Sequence, residues 1–141
     1  MEHDNWSVLT EATIDGIRVV ATTRSEVRID VTCVSQGGKQ RQVVARKVHD
    51  LWVNDTRLSN IIDRVVILGT NEGDEAETAK TLFLLMRGRE PEDTDLQWPK
   101  FLEQLSRVRE GTLTLMKVEP VYGATVLVLA ESIRLETIDG L

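Results

Sequence analysis

WSVLTEATIDGIRVVATT (residues 6–23) decides how the rest of the chain is read. Trp6, Val8, Thr10, Ala12 and Ile14 alternate with Ser7, Leu9, Glu11 and Thr13, which is the period of a strand with two unlike faces. Asp15-Gly16 then separates Ile14 from Ile17. An Asp-Gly pair between alternating runs signals a hairpin, because a type I′ turn needs positive φ at both central positions. The stretch therefore predicts two strands, 6–14 and 17–23, folded back on each other at Asp15-Gly16.

The same alternation continues outward. Val27, Ile29, Val31 and Cys33 alternate with Arg28, Asp30, Thr32 and Val34, after a turn at Arg24 to Glu26. Gln36-Gly37-Gly38-Lys39 punctuates the chain again, and RQVVARKV (41–48) reads as a fourth strand. The N-terminal third is thus expected to be a four-strand antiparallel meander, a sheet type that usually keeps one wet face.

The middle changes period. Asn54-Asp55-Thr56 is a capping cluster, and Leu58, Ile61 and Ile62 follow at helical spacing, so a helix is expected near 55–63. Val65 to Leu68 reads as a short buried strand. Asp74 with Glu77 forms a capping box ahead of a helix near 75–87, with Ala76, Ala79, Phe83 and Met86 on one face and Gly88 as its stop. TLFLLM within 79–87 also suits a strand, so helix and strand stay open there. Pro99 suits the first position of another helix, which carries Phe101, Leu102, Leu105 and Val108 and stops at Gly111. TLTLMKVE (112–119) and ATVLVLAESIRLE (124–136) then make a C-terminal hairpin around a turn at 120–123. The expected fold is a single α+β domain over 1–141. It has the four-strand meander, an α-β-α-α middle and a C-terminal β-hairpin that completes a mainly antiparallel sheet.

Composition limits the function classes. The 141 residues are 41% apolar and 28% charged, which suits one globular core. No apolar run approaches the roughly 18 residues of a membrane span. The start, MEHDNWS, has no basic and apolar leader pattern, and Cys33 is the sole cysteine, so a reducing cytoplasm is the expected compartment. The net charge of −6 lies in the second half: by count, 1–70 hold nine Lys/Arg and nine Asp/Glu, and 71–141 hold eight and fourteen. A uniformly basic nucleic-acid surface is excluded.

VVILGTNEGDEAETAK (65–80) has the strand, glycine loop and helix order that many proteins use to hold phosphate. It lacks the Lys and Ser/Thr of a P-loop and the third glycine of a dinucleotide fingerprint. Glu72, Asp74, Glu75 and Glu77 crowd the helix start and already neutralise its positive end. The segment reads as a self-capped helix start and an acidic patch; its spacing does not make a calcium loop. His3 and His49 with Cys33 supply no zinc spacing, so no metal or cofactor is expected. A general base at His49-Asp50 is disfavoured by strand alternation, which sends neighbours to opposite faces. Cys33, in phase with Val27, Ile29 and Val31, reads as a core cysteine rather than a nucleophile. Trp6, Trp52 and Trp98 each adjoin an apolar segment and read as core or subunit contacts.

GGKQRQVVARK (37–47) is the most basic segment. Lys39, Arg41, Arg46 and Lys47 could track a phosphate backbone or guard an edge strand, and the segment lacks aromatic stacking partners. GTLTLMKVEPVYGATVLVLAESIRLE (111–136) resembles the closing strands of single-strand-DNA-binding OB-folds, in its order of glycine, strand, loop and a strand ending in Ala-Glu-x-Ile. The α-β-α-α segment before it departs from a minimal OB barrel, which has five strands.

These residues favour a small non-enzymatic binding protein. A homodimer is expected because 124–130 is apolar on both faces, and a basic protein is the partner that the acidic half suits. Two other readings are a nucleic-acid binder using 37–47, and a small-ligand-binding or enzymatic domain with a pocket that sequence does not reveal.

Overall fold

Asp15 and Gly16 do not turn the chain. Neither takes a positive φ, so the type I′ geometry is absent. The computed structural model describes residues 5–20, 25–69 and 75–138, and within them β1 (Thr13–Val20) runs straight through the pair. Its register against the next strand shifts between Ile14 and Gly16, which makes Asp15 the extra residue of a bulge. The Asp15 carboxylate accepts a hydrogen bond from Thr32 Oγ1 at 2.6 Å across that irregularity. Residues 6–9, expected in a strand, form a 3-10 turn instead. Asn5 Oδ1 accepts from the Ser7 amide at 3.3 Å and tightens the turn. Leu9 and Ala12 are thereby fully buried. The β2 strand (Glu26–Cys33) follows; the expected turn at 24–26 is only partly within the described residues. Gly37 and Gly38, both at positive φ, lead into β3 (Lys39–Asn54). The expected four-strand meander is therefore three strands, the last of them long.

The helix expected near 55–63 is replaced by a loop and the start of β4 (Ile61–Leu68). Asn60 organises the loop. Its Oδ1 accepts from the amides of Arg57 and Ala124, both at 2.9 Å, and its Nδ2 donates to the Arg57 carbonyl at 2.7 Å. A side chain that satisfies backbone groups in this way competes with helix formation. Leu58, the supposed first apolar contact, is fully exposed.

Residues 75–87 are a helix, which resolves the choice between helix and strand at 79–87. This α1 (Glu75–Arg87) buries Thr78, Thr81, Leu82, Phe83 and Leu85. Of the face read in the sequence, Phe83 is buried and Ala79 and Met86 pack beside it, while Ala76 is exposed. The Asp74–Glu77 capping box lies partly outside the described residues. Gly88 stops the helix at positive φ. In the connection to α2 (Pro99–Glu110), Arg89 Nη1 meets Asp95 Oδ2 at 2.8 Å, and Gly111 at φ 83 ends α2. The last strands are β5 (Thr114–Tyr122) and β6 (Thr125–Thr137), so the hairpin expected at the C-terminus is present.

The six strands close on themselves in the order β1-β2-β3-β6-β5-β4 with antiparallel neighbours throughout. The closing seam is short. Thr13 pairs with Ile61, and the Ile14 and Ile62 amides donate to Asn60 and Ala12 carbonyls at 2.8 and 2.9 Å. Within 111–136, β5 and β6 are adjacent strands of a six-strand barrel, where a minimal OB barrel has five.

Two apolar layers result. Val27, Ile29, Val31, Val43, Met116, Val126, Val128 and Ala130 fill the barrel. Leu68, Leu115, Leu127 and Leu129 on its outer surface pack under Leu82, Phe83 and Leu85 of α1 and Phe101, Leu105 and Val108 of α2. The two apolar faces of 124–130 are explained by this: β6 is the wall between the layers.

Candidate functional site

The four basic residues singled out in the sequence do not form one patch. Arg41 shares the phase of inward-facing Val43 and is held at the barrel end, donating to Gln36 Oε1 at 2.8 Å and Thr137 Oγ1 at 3.3 Å. Lys39 is exposed at the start of the same strand. Arg46 points the other way, between Glu26 at 3.4 Å and Glu136 at 3.5 Å. Lys47 follows at φ 52. Of the acidic patch, Glu72 and Asp74 lie outside the described residues. Glu75 and Glu77 are exposed on the first turn of α1, and Glu77 Oε1 lies 3.3 Å from Lys117 Nζ. Cys33 is fully buried, and burial pushes its thiol up against the pull of Arg41 and Lys39, which suits the core role expected of it. Among the described residues no three His, Cys, Asp or Glu side chains are grouped to hold a metal ion.

His49 and Asp50 depart from simple alternation. The register of β3 against β6 shifts between Val48, opposite Ala130, and Asp50, opposite Leu129. His49 is the extra residue, and the positive φ of Lys47 precedes it. As a result His49 and Asp50 line one recess together, on the outer surface of β3 beneath α2. Strand alternation therefore does not separate His49 from Asp50. Met86, Trp98, Lys100, Gln104 and Leu129 complete the lining, and the recess holds about 150 Å³. His49 Nε2 lies 3.6 Å from Glu131 Oε2. Burial raises the Asp50 carboxyl above its ordinary range, opposed by the Leu51 amide, which donates to Asp50 Oδ1 at 3.0 Å, and by the charge of Lys100. The Gln104 Oε1 atom is buried with no hydrogen-bond partner.

A larger recess lies at the mouth of the barrel. Residues 16–20 of β1 pair with β2, and residues 50–54 of β3 pair with β6. Among the described residues no ladder occupies the other edge of either stretch. The groove between them holds about 430 Å³ and is lined by Ile14, Ile17, Val19, Leu51, Val53 and Ala124, with the buried Asn60 and the exposed Asp15, Thr56, Arg57 and Leu58. Ile14 and Ala124 belong to the buried interior core, so the groove opens into the barrel. Val19 is 54% exposed and Leu58 fully exposed at its lip. Arg57 is engaged elsewhere, with Asp55 Oδ1 at 3.1 Å and over the Tyr122 ring at 5.9 Å. Sequence reasoning missed this groove because it ended the fourth strand at 48. The signal was present in Leu51 and Val53, which alternate with Asp50 and Trp52.

Comparison with family models, with curated proteins and with solved structures gave no match for this chain.

Proposed function

We propose that the chain is a non-catalytic binding protein and that the barrel-mouth groove takes the aliphatic part of a small ligand. The observation that carries the reading is an apolar recess of about 430 Å³ that reaches the interior core and leaves Leu58 bare at its lip. That volume falls within the roughly 300–1,000 Å³ of small-molecule sites, whereas the recess beneath α2 is below it. Covering Leu58 and Val19 removes apolar surface from water, which is favourable at about 25 cal/mol per Å².

The test is titration calorimetry with straight-chain alcohols, n-octanol among them, in aqueous buffer. Saturable binding to one site is expected, with affinity rising about fourfold per added methylene until the groove is filled. Leu58→Glu, at an exposed position, should weaken binding without altering the fold. Absence of saturable binding by any chain length would overturn the proposal.

The homodimer and the basic-protein partner rest on charge and apolar content alone. The apolar outer face of β6 no longer calls for a dimer, since the helices lie over it. The nucleic-acid reading is supported less, because Arg46 is already held between two carboxylates.

A further inference from the structure

The walls of the barrel-mouth groove are strand edges as well as apolar surface. Among the described residues, 16–20 of β1 and 50–54 of β3 each pair on one side only. Both stretches are pleated about the groove. Ile17 and Val19 face it, while Arg18 between them lines a different recess. Leu51 and Val53 face it, while Trp52 between them packs in the helix layer. On β3 the open edge is defined atom by atom. The Val48 amide still has a partner on that side, the Ser25 carbonyl at 2.7 Å. The Leu51 amide donates to Asp50 Oδ1 at 3.0 Å and is therefore turned away from β6. Antiparallel pairing alternates residue by residue, so the main-chain groups of Val53 point the same way. Among the described residues, the Val53 amide and the Leu51 and Val53 carbonyls have no hydrogen-bond partner on that side.

We propose that the ligand of the groove is an extended peptide that adds a strand to the open edge of β3 and sets alternate aliphatic side chains against Ile17, Val19, Leu51 and Val53. The inference rests on the groove being the binding site. An alkyl chain alone leaves the edge amide and carbonyls to water. An extended main chain brings donors and acceptors at the spacing of the strand itself. Its pleat then turns every second side chain into the groove, where the two apolar rows lie. Five strand residues span roughly 17 Å, so a peptide of about five residues matches the open stretch.

Calorimetry would use acetyl-Val-Ser-Leu-Ser-Val-amide, its two analogues N-methylated at the odd or at the even residues, and the acetylated pentaserine amide. The parent peptide is expected to bind at one site and to be displaced by n-octanol. One of the two methylated analogues should bind at least about tenfold more weakly, because it keeps every side chain and loses the donors that face β3. The pentaserine peptide should not bind. Octanol binding without peptide binding, or equal binding by the parent and both methylated analogues, would overturn the proposal and leave the groove as an aliphatic site. Failure of octanol and peptide alike would remove the groove itself, and this inference with it. A dimer in light scattering that Leu58→Glu abolishes, with no peptide binding, would give the edge to a second copy of the chain and also overturn the proposal.

Discussion

At the scale of single residues, Asp50 is held where its charge is disfavoured. Burial raises its carboxyl above the ordinary value of 3.8, so the folded protein holds this proton to a higher pH than the unfolded chain does. The sign follows. Well below pH 3.8 both states are protonated and burial of the carboxyl exerts no charge penalty. As pH rises from 3.8 towards the folded-state value, the unfolded chain ionises while the folded one keeps its proton, so stability falls, and above the folded-state value it stays at a constant lower level. Asp50→Asn should therefore raise the melting temperature at neutral pH and leave it unchanged below the ordinary carboxylate range. Parallel melts of both proteins across pH measure this, and an equal effect at both ends would contradict it. Cys33 is the opposite case for legibility. Its phase with Val27, Ile29 and Val31 placed it in the core from sequence alone, because alternation holds through β2. His49 and Asp50 were misjudged because nothing in their residue types marks the bulge between them.

At the scale of elements, one side chain holds the loop between β3 and β4. Asn60 is 7% exposed and ties the Arg57 backbone to the buried Ala124 amide in the turn that links β5 to β6. Gly123 packs directly against it, and a Cβ there would collide with the Asn60 side chain. Asn60→Ala leaves the Ala124 amide buried without an acceptor, and a loss of about 2–3 kcal/mol is expected in urea unfolding. A change within about 0.5 kcal/mol would show that the loop holds itself without this side chain. This element explains why the helix near 55–63 was misread. The spacing of Leu58, Ile61 and Ile62 is helical, but Leu58 faces solvent, and Ile61 and Ile62 belong to a strand that pairs with both β1 and β5. Long-range pairing outweighed a local pattern. Asp15-Gly16 failed for a related reason: the turn signal was sound locally, but β2 pairs on both sides of it. The helices at 75–87 and 99–110 were legible because Pro99, Gly88 and Gly111 are local punctuation that tertiary contacts did not displace.

At the scale of the whole molecule, the barrel and its helices make two apolar layers with β6 between them. The mixed, antiparallel character of the fold could be read from the order of periods along the chain. Closure of the sheet could not, since it depends on a seam of a few backbone contacts between β1 and β4. No described helix is long and apolar enough to cross a membrane. Closure also creates the proposed binding site. The long β3 continues past the end of β2, and the interior core is left open between its upper half and β1. Methyl NMR of the protein titrated with n-octanol tests whether this opening takes an aliphatic chain. Saturable shifts are expected at the methyl groups of Ile17, Val19, Leu51, Val53 and Leu58, with those of Leu82, Leu85 and Leu105 in the helix layer unmoved. Shifts confined to the helix layer, or none that saturate, would contradict it.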